Sequence, residues 1–105
     1  MSDAISEVKK YANQPVNEAA LAAMEKEYKL VLSQADARYV ACSDAAERDR
    51  IRENFLKKKL GLMTGDLDGA IKAVCERMHG DHNKSRLTFY YLLAEHFGKL
   101  DIFAR

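Results

Sequence analysis

The residues best suited to chemistry crowd into one stretch, from Cys75 to Arg86. Cys75 and His79 are four apart, so a helix carries both on one face, and His82 follows Gly80 at a point where the chain can turn back. These three ligands would hold zinc with an open position, with Asp81 as a fourth group. The spacing matches no standard zinc signature, however, and Cys75 also falls in an apolar stripe where a free cysteine packs as a small hydrophobe.

Immediately downstream, Lys84-Ser85-Arg86 opens an apolar run. At a helix N-terminus the free backbone N–H groups, a hydroxyl and a guanidinium are the parts an oxyanion needs, which makes this an expected anion or phosphate site, joined by Lys57, Lys58 or Lys59. The competing reading is structural. Ser85 then caps the helix, Lys84 and Arg86 pair with Asp66, Asp68, Asp81 or Glu95, and the three lysines complement the dipole of a helix end.

A third possibility is an interaction surface. Phe89, Tyr90, Tyr91, Leu100, Ile102 and Phe103 are a large apolar load, and whatever stays outside forms a patch that favours a protein partner or a homodimer. Tyr90, Tyr91, Ile102 and Phe103 are the expected anchors, unless the tail folds over the bundle and completes the core. Two adjacent tyrosines cannot both hide their hydroxyls cheaply, so at least one should find a partner or the surface. Enzymatic signatures are missing: there is no GxSxG, HExxH, P-loop or strand-linked GxGxxG, and His96 reads as a polar edge or a core group.

The elements that must position these residues are helical. A first helix runs from about Asp3 to Tyr11 and is interrupted at Asn13-Gln14-Pro15. Asn17 caps a second, with Ala20, Leu21, Met24, Tyr28, Val31 and Leu32 inward. Asp44 caps a third, with Glu47 three residues on as in a capping box and Ile51, Phe55 and Leu56 as its stripe. It stops at Gly61, with Leu62 folding back on Leu56. A fourth runs from an Asp66 cap to Gly80 and buries Leu67, Ile71, Val74, Cys75 and Met78. The fifth, from Ser85 to Phe97, is apolar on nearly every side and so must lie inside, with Phe89, Leu92, Leu93 and Phe97 as its main core residues. The expected fold class is all-α: a compact bundle of about five helices around a buried C-terminal helix, forming one domain over residues 1–105. Arg38–Cys42 pairing with Leu100–Phe103 would add a tiny two-stranded decoration.

Cys42-Ser43-Asp44, Phe55 through Leu62 and Lys84 through Glu95 resemble a small bacterial family of uncharacterised helical proteins, domain-of-unknown-function family 2853. The resemblance runs over most of the chain from Ser2 and implies a bacterial, cytoplasmic, helical domain with no assigned substrate or catalytic residues. In the family pattern a basic residue often stands where this chain has His82, so the resemblance weakens His82 as an essential ligand.

Composition agrees with a packed protein: 48% of the 105 residues are apolar, and the one Pro and five Gly are too few for a disordered tail. Seventeen basic against sixteen acidic residues give a net charge of +1, which supplies no general attraction to nucleic acid or anionic membranes. The longest apolar run, Phe89 to Ala94, is far below the ~20 residues that span a bilayer. No secretory h-region precedes the first helix, and the two cysteines lie without CxxC spacing, so both thiols are expected reduced in a cytoplasmic protein. The functional expectation is a non-enzymatic helical interaction module without a cofactor. The alternative is anion, phosphate or nucleic-acid binding through Lys84, Ser85 and Arg86.

Overall fold

Each of the four side-chain N-caps expected from the sequence forms. Asn17 accepts from the Ala20 N–H (3.1 Å), Asp44 from Ala46 (2.9 Å), Asp66 from Gly69 (2.9 Å) and Ser85 from Thr88 (3.5 Å). They open four of the six α-helices in the computed structural model, which describes residues 2–12, 14–34, 39–63, 65–80 and 84–103, with side chains from residue 5 onward. The helices are α1 (Ser2–Tyr11), α2 (Glu18–Glu27), α3 (Lys29–Ser33), α4 (Ala45–Arg50), α5 (Leu67–Arg77) and α6 (Arg86–His96). The fold is an all-α bundle.

Two departures from the expected elements have physical reasons. The second helix breaks at Tyr28, whose φ and ψ of −102° and 18° leave the helical range, so α2 and α3 are separate. The third continues past α4 as a π-helix, Ile51–Lys59, hydrogen-bonded one residue wider than an α-helix. Ile51, Phe55, Leu56 and Leu60 are all buried along it, so the wide register keeps four large apolar groups on the core side. The stop at Gly61 forms as expected, with φ at 73°, the left-handed region that suits glycine. Because the register is wide, the Leu62 N–H reaches back six residues to the Leu56 carbonyl (3.0 Å).

The core sits around α6. Its Leu87, Phe89, Tyr91, Leu92, Leu93 and Ala94 are buried, and α1, α2, α5 and the tail pack against it. Phe97, expected among the main core residues, is only half-buried. On the α1 side Thr88 Oγ1 donates to Glu7 Oε1, and at the α2 entry the Asn17 N–H donates to the Tyr91 hydroxyl (2.8 Å). The expected two-stranded ribbon is corrected. Leu100–Ile102 is a 3-10 turn, and Tyr39 instead makes an isolated antiparallel bridge to Ser85, with the Val40 N–H on the Lys84 carbonyl (2.8 Å). Arg38, at the start of that expected strand, lies outside the described residues.

The expectation of two reduced thiols is also corrected: Cys42 and Cys75 form a disulfide with their Cα atoms 5.9 Å apart. The turn ahead of α4 and the third turn of α5 are neighbours, a proximity that a 33-residue sequence separation does not reveal. No helix among the described residues is long and apolar enough to cross a membrane.

Candidate functional site

Arg86 is the first residue of α6, and a helix that is apolar all round carries its first side chain inward with the rest. It needs an anion there, because a buried unpaired guanidinium is costly. Glu47 supplies it. The two side chains are 10% and 7% exposed, and Arg86 Nη2 bonds to Glu47 Oε1. Arg86 Nη1 donates to the Tyr90 hydroxyl (3.0 Å) and Nη2 to the Tyr39 carbonyl (3.5 Å), while Glu47 Oε2 accepts from Arg50 (3.0 Å). Burial works to lower the Arg86 pKa, but the charge and hydrogen bonds of Tyr90 and Glu47 outweigh it and hold the guanidinium protonated. A cleft of about 430 Å³ opens over the pair, lined by Tyr39, Asp44, Arg50 and Asn54 among others.

The capping-box reading of Glu47 is thereby corrected: its carboxylate goes to Arg86 and Arg50, and the Asp44 N–H bonds to the Ala41 carbonyl (3.0 Å). A signal for this lay in the sequence. Glu47, Ile51 and Phe55 recur every four residues, so Glu47 extends the buried stripe, and the charged groups at the head of the apolar helix, Lys84 and Arg86, are both cations.

An aromatic stack adjoins the pair. Phe55 lies face to face with Tyr90, centroids 4.1 Å apart, and Tyr28 meets Tyr90 edge-on at 5.2 Å. Phe103 stacks on the Phe55 side at 6.4 Å with Lys59 Nζ over its ring, so the tail folds over the bundle and completes the core. Of the four expected interface anchors, Tyr91 and Phe103 are buried, and Tyr90 and Ile102 are half-buried against the core. The apolar groups that do face outward are Leu30 and Met63, each 80% exposed, and Tyr39 at 40%. Burial raises the pKa of Tyr28 well above the usual phenol range, aided by Glu27 and Tyr90. Burial also raises that of Tyr91, against the lowering effect of the Asn17 N–H.

The remaining expected site residues separate. Ser85 caps α6, and the Lys84 carbonyl is held by Val40. Lys57 pairs with Glu53 (3.1 Å) and Lys59 with Glu27 (2.7 Å), while Lys58 is exposed. Cys75 is bound to Cys42, which leaves the zinc arrangement with Cys75, His79 and His82 no thiolate; His79 is exposed and His82 lies outside the described residues. Among the described residues, no group of three or more His, Cys, Asp or Glu is arranged to hold a metal ion.

A second cleft, of about 490 Å³, lies between α4 and α5 and is lined by Cys42, Arg48, Asp49, Arg52, Asp68 and Lys72. Arg52 there binds Asp49 (3.1 Å) and Asp68 (2.9 Å) as well as Glu53 (2.8 Å). Arg48 donates to the Cys42 carbonyl at 2.6 Å.

These features define a small all-α bundle organised on a buried carboxylate–guanidinium pair and closed on one side by a disulfide. The chain belongs to DUF2853, a family of proteins of unknown function, whose family model matches residues 3–101. No curated protein matches it.

Proposed function

We propose that the protein is a non-enzymatic binding module that docks a polypeptide through the end of the bundle where α2, α3 and the π-helix meet. The observation that carries this is the exposure of Leu30 and Met63, both at 80%, in a chain that buries most of its other large apolar side chains. The Glu27–Lys59 ion pair ties the two segments together, and Leu30 and Met63 lie three and four residues beyond its partners. Apolar groups left outside a well-filled core are what a partner covers.

Charge defines that partner. Lys26, Lys29 and Lys58 lie on the same two segments, exposed and without an ion pair among the described residues, so the surface suits a segment that mixes apolar and acidic residues. A second copy of the chain would bring the same lysines, which favours a different polypeptide over self-association. The proposal keeps the cytoplasmic setting expected from the sequence. It leaves Arg86 as a joint within the fold, since an anion binding at Lys84, Ser85 and Arg86 would have to displace Glu47.

The test compares affinity capture from the source cells by the wild-type chain and by Leu30→Asp/Met63→Asp. Both residues are exposed, so the double variant should keep its melting temperature. The expected result is one stoichiometric partner, retained by the wild type, weakened by salt and lost with the variant. Identical capture by both proteins would refute the surface, and a concentration-dependent dimer in sedimentation would replace the partner with a second copy.

A further inference from the structure

The cleft between α4 and α5 combines a sulfur centre with a lining of three cations, Arg48, Arg52 and Lys72, and two acids. Its two acids, Asp49 and Asp68, are both bound by Arg52. Arg48 and Lys72 have no carboxylate partner among the described residues. Arg48 is anchored on the carbonyl of Cys42 itself, so its guanidinium is held beside that residue. On α5, Asp68, Lys72 and Cys75 follow at spacings of four and three, which puts them on one face, and both cysteines are half-buried and not sealed in the core.

We propose that Cys42–Cys75 is a thiol–disulfide exchange site for a small thiol bearing carboxylates, which docks in this cleft on Arg48 and Lys72. The incoming thiolate attacks Cys42 Sγ, the sulfur of the residue that lines the cleft. The Cys42–Cys75 bond breaks, a mixed disulfide forms on Cys42, and Cys75 leaves as a thiolate that takes a proton from solvent. A second molecule of the same thiol attacks the mixed disulfide and frees Cys42. Two thiols are oxidised to their disulfide while the protein gains two electrons and two protons. Run backwards, the steps place the small thiol on Cys42 as a covalent modification. Arg48 and Lys72 serve both steps, drawing in the anionic thiol and favouring the thiolate that leaves.

The experiment uses the oxidised full-length protein at low salt. Rates of disulfide opening are measured with reduced glutathione, which is anionic, and with cysteamine, which is cationic, at matched thiolate concentrations. The reactions are quenched by alkylation and the peptides mapped by mass. The expected outcome is a rate roughly tenfold higher for glutathione, with the adduct on Cys42 and the advantage removed by high salt. Lys72→Glu, at an exposed position, should shrink the glutathione rate and raise that of cysteamine. Cys75→Ser should accept glutathione on Cys42 from oxidised glutathione. Equal rates for the two thiols would overturn the docking site, and an adduct confined to Cys75 the direction of attack. A disulfide that reacts only after unfolding in urea would overturn the proposal as a whole.

Discussion

Glu47→Ala leaves the Arg86 guanidinium buried without its anion. Both side chains are at most a tenth exposed, so solvent cannot replace the carboxylate freely, and removing one partner of a buried pair costs about 3 to 5 kcal/mol. The lower end applies, because Arg86 keeps the Tyr90 hydroxyl and the Tyr39 carbonyl and a cleft admits water beside it. A loss of ~3 kcal/mol in a domain of this size lowers Tm by roughly 12 to 24 °C. Urea unfolding of the wild type, Glu47→Ala, Arg86→Met and the double variant Glu47→Leu/Arg86→Met measures it, with an unchanged m-value as the check on two-state behaviour. The double variant should return to within ~1 kcal/mol of the wild type, since well-packed apolar groups replace a buried pair at little cost. A Glu47→Ala effect below ~1 kcal/mol would show that the pair is screened like a surface bridge, and the joint between α4 and α6 would then need another cause.

Opening the Cys42–Cys75 loop by Cys42→Ser/Cys75→Ser should cost roughly 4 kcal/mol on the chain-entropy account, read as a lower urea midpoint; an unchanged midpoint would mean that the disulfide constrains nothing. Leu93→Ala, at a fully buried position on α6, should cost ~2 to 5 kcal/mol, whereas Leu30→Ala should stay within about 0.5 kcal/mol; calorimetry that gave the two similar values would contradict the burial pattern. Burial holds Tyr28 and Tyr91 in the neutral form, so the unfolded chain loses these protons first and stability falls as pH rises past ~10. Tyr28→Phe should flatten that alkaline decline, and an unaltered slope in melting against pH would count against it.

Caps and stops were legible because they are local. Asn17, Asp44, Asp66 and Ser85 each act within three residues of themselves, and Gly61 and Gly98 adopt the left-handed φ that their positions after a helix suggest. The central α6 was legible too, since a helix without a polar face has nowhere else to go. What stayed hidden depends on tertiary neighbours. The π register shows in the sequence only as the four- and five-residue spacing of Ile51, Phe55, Leu56 and Leu60, wider than the three and four of an α-helical stripe. Tyr39 bridges Ser85 and not the tail, where Leu100–Ile102 winds into a 3-10 turn and offers no extended edge. For the candidate sites, the sequence marks Arg86 as a cation that needs an anion, and a protein carboxylate satisfies it from inside the fold. The apolar tail looked sticky, yet its ring partner Phe55 lies far away along the chain.

The position of α6 also governs how the protein comes into being. A ribosome delivers α1 through α5 before the helix against which α1, α2 and α5 pack, so the stripes that face it emerge uncovered, although α5 already has the π-helix and α2 has α3 to rest on. Assembly is therefore a late event, triggered when the hub arrives. Until then the nascent chain exposes apolar segments of the kind that chaperones hold apart.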